Sequence, residues 1–242
     1  MIKAIVFDID DTLYDTKPAF VQAFEETFNL NLPEEQMNQI FANYNEQEQL
    51  AIAESNSDSD LKLSDEEINF HSLHHTFKKY DLPGLTQESA KAFSEAFETA
   101  SSSIHLFDGL TTVFNTLTTK FKLGIITNGS NDVQLAKIMK LKLHHWFSRE
   151  QIITSEDAKA KKPDPLIFTL MNRKFNFRGN EMMYIGSSYF EDIVPAKKAG
   201  WETVWYNSHQ SPIADPQIIP DQTVKTPEEL KDLLMDLAAQ MD

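Results

Sequence analysis

Cysteine is absent from the 242 residues. Disulfides, thiolate zinc sites and cysteine nucleophiles are therefore excluded, and the composition fits a reducing cytoplasm. Glycine is scarce, with seven residues, and no two stand close enough for G-x-G-x-x-G, which argues against the usual dinucleotide-binding turn. Gly124 and Gly129 have the glycine spacing of a phosphate loop, but Ser130 follows where that loop needs lysine. Positive charge is short as well: 22 Lys and Arg face 37 Asp and Glu, a formal net charge of −15. That balance disfavours a nucleic-acid polymer or an anionic membrane as the main partner, since both call for a basic surface. No apolar run approaches the roughly 18 residues of a spanning helix. The first residues, Met1-Ile2-Lys3-Ala4-Ile5-Val6-Phe7, turn acidic too soon for a signal peptide.

What is present is enough apolar material for a core, 41% of residues. Residues 2–7 read as a buried strand, short and rich in β-branched side chains. Phe121–Thr127, Gln151–Thr154, Met182–Gly186 and Glu202–Tyr206 read the same way. Helical stretches separate them: Asn131–Leu141, a helix opened by Asp164 as N-cap and Pro165 at its first position, and a last one opened by Thr226-Pro227-Glu228-Glu229. Pro212, Pro216 and Pro220 mark a loop. Alternating strand and helix predicts a parallel sheet with helices on both faces and a ligand site at the carboxyl ends of the strands.

Residues 15–103 interrupt the alternation. They carry helical patterns such as Phe20, Ala23, Phe24, Thr27 and Phe28, with no convincing strand. They also hold 17 acidic and 5 basic residues, against 20 and 17 in the remainder. The expected architecture is thus α/β: a Rossmann-like parallel sheet core, residues 1–14 and 104–242, with an inserted all-α domain, residues 15–103. Glu54–Asp60 is polar and expected to be an exposed loop.

Four short segments carry the chemistry. Asp8-Ile9-Asp10-Asp11-Thr12-Leu13 follows the first strand, and residues two apart on an extended chain share a side. Two carboxylates about 4 Å apart repel by roughly 4 kcal/mol at an effective dielectric near 20, so Asp8 and Asp10 together call for a cation or a shared proton. Magnesium suits oxygen ligands of this kind. Thr127-Asn128-Gly129-Ser130 ends another strand and offers a hydroxyl and backbone N–H groups to an anion. Lys161-Lys162-Pro163-Asp164-Pro165 puts a lysine just before a helix. Gly186-Ser187-Ser188-Tyr189-Phe190-Glu191-Asp192 places acids after a further strand end. Each alone also reads as an ordinary turn or cap; their order and strand-end placement agree.

Together these segments resemble the haloacid dehalogenase superfamily of hydrolases, specifically the phosphatase branch with a helical cap inserted after the first strand. Asp8 to Leu13, Thr127, Lys162 and Gly186 to Asp192 match its four motifs in order. The resemblance implies a magnesium-dependent phosphatase that hydrolyses a small phosphorylated metabolite. Asp8 would be the nucleophile and form an aspartyl-phosphate. Asp10 would be the general acid and base. Lys162, Thr127 and the Asn128–Gly129 backbone would bind the phosphoryl group. Magnesium would be held by Asp8, the Asp10 carbonyl and acids of the fourth motif, here Asp192 or Glu191. Tyr14 and Asp15, in the hinge region, are candidate substrate contacts. The second aspartate, Asp10, favours phosphate esters over haloacids. One departure stands out: Ser187 occupies the position where the family carries an aspartate that binds the metal. A sugar-phosphate mutase, a low-activity binding protein with an impaired metal site and, more remotely, a 2-haloacid dehalogenase are the alternatives. His71, His74 and His75, at i, i+3 and i+4, read as a solvated helix face, and the phenylalanines of the insert as core.

Overall fold

Ala4–Phe7 forms β1, four apolar residues with no exposed surface. It lies at the middle of the sheet because both of its edges are paired, in parallel, with β2 (Lys122–Thr127) and with a later strand, Met182–Gly186. In the computed structural model, which describes residues 1–57, 63–101 and 104–240, the sheet has six parallel strands. With β3 (Ile152–Thr154), β4 (Met182–Gly186), β5 (Glu202–Tyr206) and β6 (Gln222–Val224), their order is β3-β2-β1-β4-β5-β6. The first five are the strands expected from their apolar runs. The sixth lies beyond the proline-rich loop and was not expected: it is three residues long and buries Val224 alone, too little for any periodicity to register.

The chain forms two units, Met1–Asp15 with Ile104–Asp242, and Thr16–Ser103. Four helices make up the second: α1 (Lys17–Phe28), α2 (Glu34–Ser57), α3 (Asp65–Lys79) and α4 (Gln87–Ala100). No strand occurs among its described residues. Ser64 caps α3 through a reciprocal box with Glu67, and Thr86 caps α4 with Ser89. The core of this unit is aromatic. Phe20, Phe24, Phe93, Phe77 and Tyr44 are buried together, with Phe20 and Phe93 5.3 Å apart edge to face. The loop expected over Glu54–Asp60 is in part helix, because α2 runs on to Ser57; residues 58–60 lie outside the described residues.

In the first unit, β1 sorts its side chains by alternation. Ile5 and Phe7 face a core completed by α5 (Leu110–Leu117), Ile138 of α6 (Asn131–Lys140), and Leu230 and Leu234. Ala4 and Val6 face the opposite core, in which Phe168 and Met171 pack with Tyr184 and Trp201. Apolar cover on both faces is what a parallel sheet requires. The short α7 (Ser155–Ala158) follows β3. Next, α8 spans Leu166–Phe175, with Pro165 rather than Asp164 at its N-cap; Asp164 sits one residue further out, and its carboxylate accepts from the Leu166 N–H at 2.8 Å. The last two helices are α9 (Val194–Lys198) and α10 (Pro227–Ala239), the latter capped by Thr226 as expected.

Phe114 has no exposed surface and meets Phe7 and Phe147 edge to face, each with ring centroids 5.4 Å away. Truncating Phe114 to alanine is expected to cost about 3–5 kcal/mol, read as a lower denaturation midpoint with an unchanged slope; a cost below about 1 kcal/mol would contradict this packing.

Candidate active site

The carboxyl ends of β1, β2 and β4 lie side by side, because β1 separates strand orders that run in opposite directions along the sheet. Asp8 follows β1 directly and its N–H donates to the Ile185 carbonyl of β4 at 2.9 Å. Thr127 closes β2 and Gly186 closes β4.

At the centre is Lys162. It is 2% exposed, and its ammonium lies 2.6 Å from Asp192 Oδ1, 2.9 Å from Asp8 Oδ1 and 3.1 Å from the Tyr184 hydroxyl. Its backbone is fixed by Asn128, whose side-chain oxygen accepts the Lys162 N–H at 2.8 Å and whose side-chain nitrogen donates to the Lys162 carbonyl at 3.1 Å. The Asn128 nitrogen also donates to Glu191 Oε1 at 3.0 Å. The side chain of Asn128, whose backbone was expected to bind the phosphoryl group, thus positions Lys162. Asp192 has no exposed surface. Its Oδ1 faces Lys162 and Tyr184, and its Oδ2 accepts the Ser188 N–H at 2.9 Å. Both oxygens of Asp192, expected from sequence as a metal ligand, are thus engaged, and Asp192 is the counter-ion to Lys162. Gly186 makes that placement possible: a Cβ there would lie 2.5 Å from Asp192 Cγ.

Charge in this cluster is unbalanced. One buried ammonium serves two buried carboxylates. Burial first, then the negative charges of Asp192 and Asp10, push the Asp8 carboxyl from 3.8 up to about 7 against the opposing pull of Lys162. Burial works against the Lys162 cation, yet Asp192 and Asp8 outweigh it and hold its proton more tightly than usual.

Asp10 lies in a different environment, with its side chain 33% exposed. Oδ1 receives the Lys137 ammonium at 2.7 Å and a short hydrogen bond from the Tyr14 hydroxyl; Oδ2 receives Gln134 Nε2 at 3.3 Å. Burial would raise its pKa, but Lys137, aided by Tyr14 and Gln134, holds the carboxyl below the usual range. Tyr14 thus reaches Asp10, while Asp15 is exposed and its charge acts on Tyr206. Thr127 is wholly buried, its hydroxyl donating to Gln134 Oε1 at 3.3 Å. The Gly129 N–H, expected to face an anion, donates to Ser155 Oγ at 2.9 Å. Gln134 and Lys137 were not among the residues picked out from the sequence. The signal for them is their i, i+3 spacing on the helix that follows the β2 turn.

The donor set suits a hard divalent cation. The Asp8 carboxylate needs positive charge beyond Lys162, and the Asp10 carbonyl faces Ser187, whose hydroxyl donates to it at 3.4 Å. One carboxylate, one carbonyl, waters and a substrate phosphate match the magnesium habit. No three His, Cys, Asp or Glu residues form a metal-holding group among the described residues, and His71, His74 and His75 are no exception.

A doubly wound α/β core with aspartates at its strand ends and a central buried lysine defines the class. The chain belongs to the haloacid dehalogenase-like hydrolase family, whose model matches residues 5–206. It is 27% identical over 260 residues to the glyceraldehyde 3-phosphate phosphatase of Methanopyrus kandleri, covering 98% of this chain and 99% of that one. It is 31% identical over 212 residues to the enzyme of the same name from Pyrococcus abyssi, covering 85% and 82%. Among solved structures it is similar to Bacillus subtilis YfnB bound to magnesium, with a TM-score of 0.72, 25% identity, and 96% and 98% of the two chains covered. No described helix is long and apolar enough to cross a membrane.

A raised Asp8 pKa carries a stability consequence. The folded chain favours the neutral form, so Asp8 costs the fold nothing below its ordinary value of 3.8 and withdraws stability as pH rises through about 7. In metal-free buffer at pH 8, Asp8→Asn is expected to melt higher, by about 2–4 °C per kcal/mol relieved. The gain is expected to vanish near pH 4; an equal gain at both pH values, or none, would contradict the assignment.

Proposed function

We propose that the chain is a magnesium-dependent phosphatase acting on a small phosphorylated metabolite through an aspartyl-phosphate on Asp8. The observation that carries this reading is the buried Asp8–Lys162–Asp192 cluster at the end of the central strand, with Asp10 two residues away. In the first half-reaction an Asp8 oxygen bonds to phosphorus as the ester P–O bond breaks. Asp10, carrying a proton, gives it to the departing alkoxide. In the second, water attacks the aspartyl-phosphate, Asp10 takes the water's proton, and Asp8 and inorganic phosphate are released. Held ionised by Lys137, Tyr14 and Gln134, Asp10 rests in the form the second half needs.

Lys162 neutralises charge on Asp8 and on the phosphoryl oxygens, and its buried setting makes that charge worth more than it would be in water. Thr127 lies at the same strand ends, and to bind the phosphoryl group its hydroxyl would turn away from Gln134 Oε1. Magnesium, when bound, supplies further positive charge at those oxygens, and the Asp8 carboxylate and Asp10 carbonyl would hold it. Ser187 contributes a neutral hydroxyl at most, so the site should be weaker than one with a second carboxylate. The magnesium-bound YfnB structure and the phosphatase relatives support this reading. We further propose that the helical unit is the cap of the phosphatase branch, with Tyr14 and Asp15 at its hinge, and that the enzyme is cytoplasmic.

Steady-state kinetics over a panel of phosphorylated metabolites with magnesium test the activity. Release of inorganic phosphate is expected, lost on Asp8→Asn; retained turnover in that variant would remove Asp8 as nucleophile. Calorimetric titration tests the metal: Ser187→Asp is expected to bind magnesium about 10–100-fold more tightly, and an unchanged affinity would remove position 187 from the metal's surroundings.

A further inference from the structure

The sequence from Ser130 starts α6 immediately after the β2 turn, and the Ser130 hydroxyl caps it. Residues three apart on a helix share a face, so Gln134 and Lys137 point the same way, back across the strand ends toward Asp10. The Gln134 side chain is 3% exposed. Its nitrogen donates to the Asn128 carbonyl at 2.8 Å and to Asp10 Oδ2 at 3.3 Å, and its oxygen accepts from the Thr127 hydroxyl at 3.3 Å. A single amide thus ties the Thr127–Gly129 turn to the Asp10 carboxylate. The turn is shaped around it: a Cβ on Gly129 would lie 2.6 Å from Gln134 Nε2. Lys137 takes the other Asp10 oxygen at 2.7 Å, from a side chain that is 17% exposed.

We propose that Gln134 and Lys137 are positioning residues that fix the orientation of the Asp10 carboxyl relative to the phosphate-binding turn; this rests on the phosphatase reading above. Each Asp10 oxygen is held from α6, so rotation about the Cβ–Cγ bond breaks both contacts. Fixing that rotation aims Asp10 at the leaving oxygen, and a group loosened in this way transfers its proton less well. Its effect depends on the ester. A poor leaving group, such as an alkoxide, needs the proton during P–O cleavage, whereas a stabilised aryloxide departs largely without it.

The test compares kcat/KM for an alkyl and an aryl phosphate monoester in the full chain at saturating magnesium. In Gln134→Leu and Lys137→Met, the alkyl ester is expected to fall at least about tenfold more than the aryl ester, with Lys137→Arg recovering part of the loss. An equal fall on both esters, or no fall, would mean that the pair merely docks α6 and would overturn the proposal. A rise on the alkyl ester in Lys137→Met would assign Lys137 an influence through charge, not position, and overturn its half. If burial makes Gln134→Leu fail to fold, the partly exposed Lys137 carries the test, with thermal melting to confirm its fold. Wild-type protein that hydrolyses neither ester would instead defeat the phosphatase reading, and this proposal with it.

Discussion

One buried ammonium organises the catalytic end of the sheet. Lys162 sits between Asp8 and Asp192 with almost no access to solvent. Removing Lys162 would leave two buried carboxylates without their cation, and an uncompensated buried charge typically costs about 3–5 kcal/mol. The neighbouring structure follows from keeping this group satisfied. Asn128 grips its backbone at two points. The Tyr184 hydroxyl accepts from it and donates to the Ile126 carbonyl. Asp192 reaches it because the residue above, Gly186, has no side chain. Three strands contribute to this arrangement, which links the sheet order directly to the chemistry.

The two aspartates after β1 are only two residues apart, yet their surroundings drive them in opposite directions. Asp8 is buried among negative neighbours and pushed toward its neutral form, while Asp10 is held ionised by Lys137, Tyr14 and Gln134. To act as nucleophile Asp8 must be ionised, so added positive charge is what its role requires. Asp8 is the group that gains most from added positive charge, whether from a phosphate-bound cation or a proton. Ser187 matters in that light, because a serine hydroxyl leaves the shortage of positive charge around Asp8 unrelieved and unaggravated. The overall charge of −15 does not set this local balance. Most of it lies in the helical unit, while the α/β unit meets its site acids with Lys137 and Lys162.

Much of the fold was legible in the sequence because buried parallel strands are continuous apolar runs. β1 to β5 announce themselves in that way, and Thr226-Pro227 marks the start of α10. β6 was not legible, since an edge strand of three residues needs only one buried side chain. Asp8, Asp10 and Lys162 could be picked out because their spacing after strand ends is short and local. The partners that set their behaviour could not: Asp10 and Lys137 are 127 positions apart, and Lys162 and Asp192 are 30 apart. Pairings at such separations are made by the strand order, which no local pattern encodes. Asn128 and Gly129 show the converse. Their positions were legible, but the partners of the Asn128 side chain and of the Gly129 N–H depend on Lys162, Glu191 and Ser155, contributed by later segments.

In the proposed reaction Asp8 becomes covalently phosphorylated while Lys162 balances its charge. This is tested most directly by acid-quenching the working enzyme with an aryl phosphate and magnesium, then locating the phosphoryl group by peptide mass spectrometry. An acyl-phosphate is expected on the peptide containing Asp8, in an amount that falls as substrate is exhausted. Turnover with no phosphorylated peptide, or with phosphate on another residue, would contradict that role for Asp8.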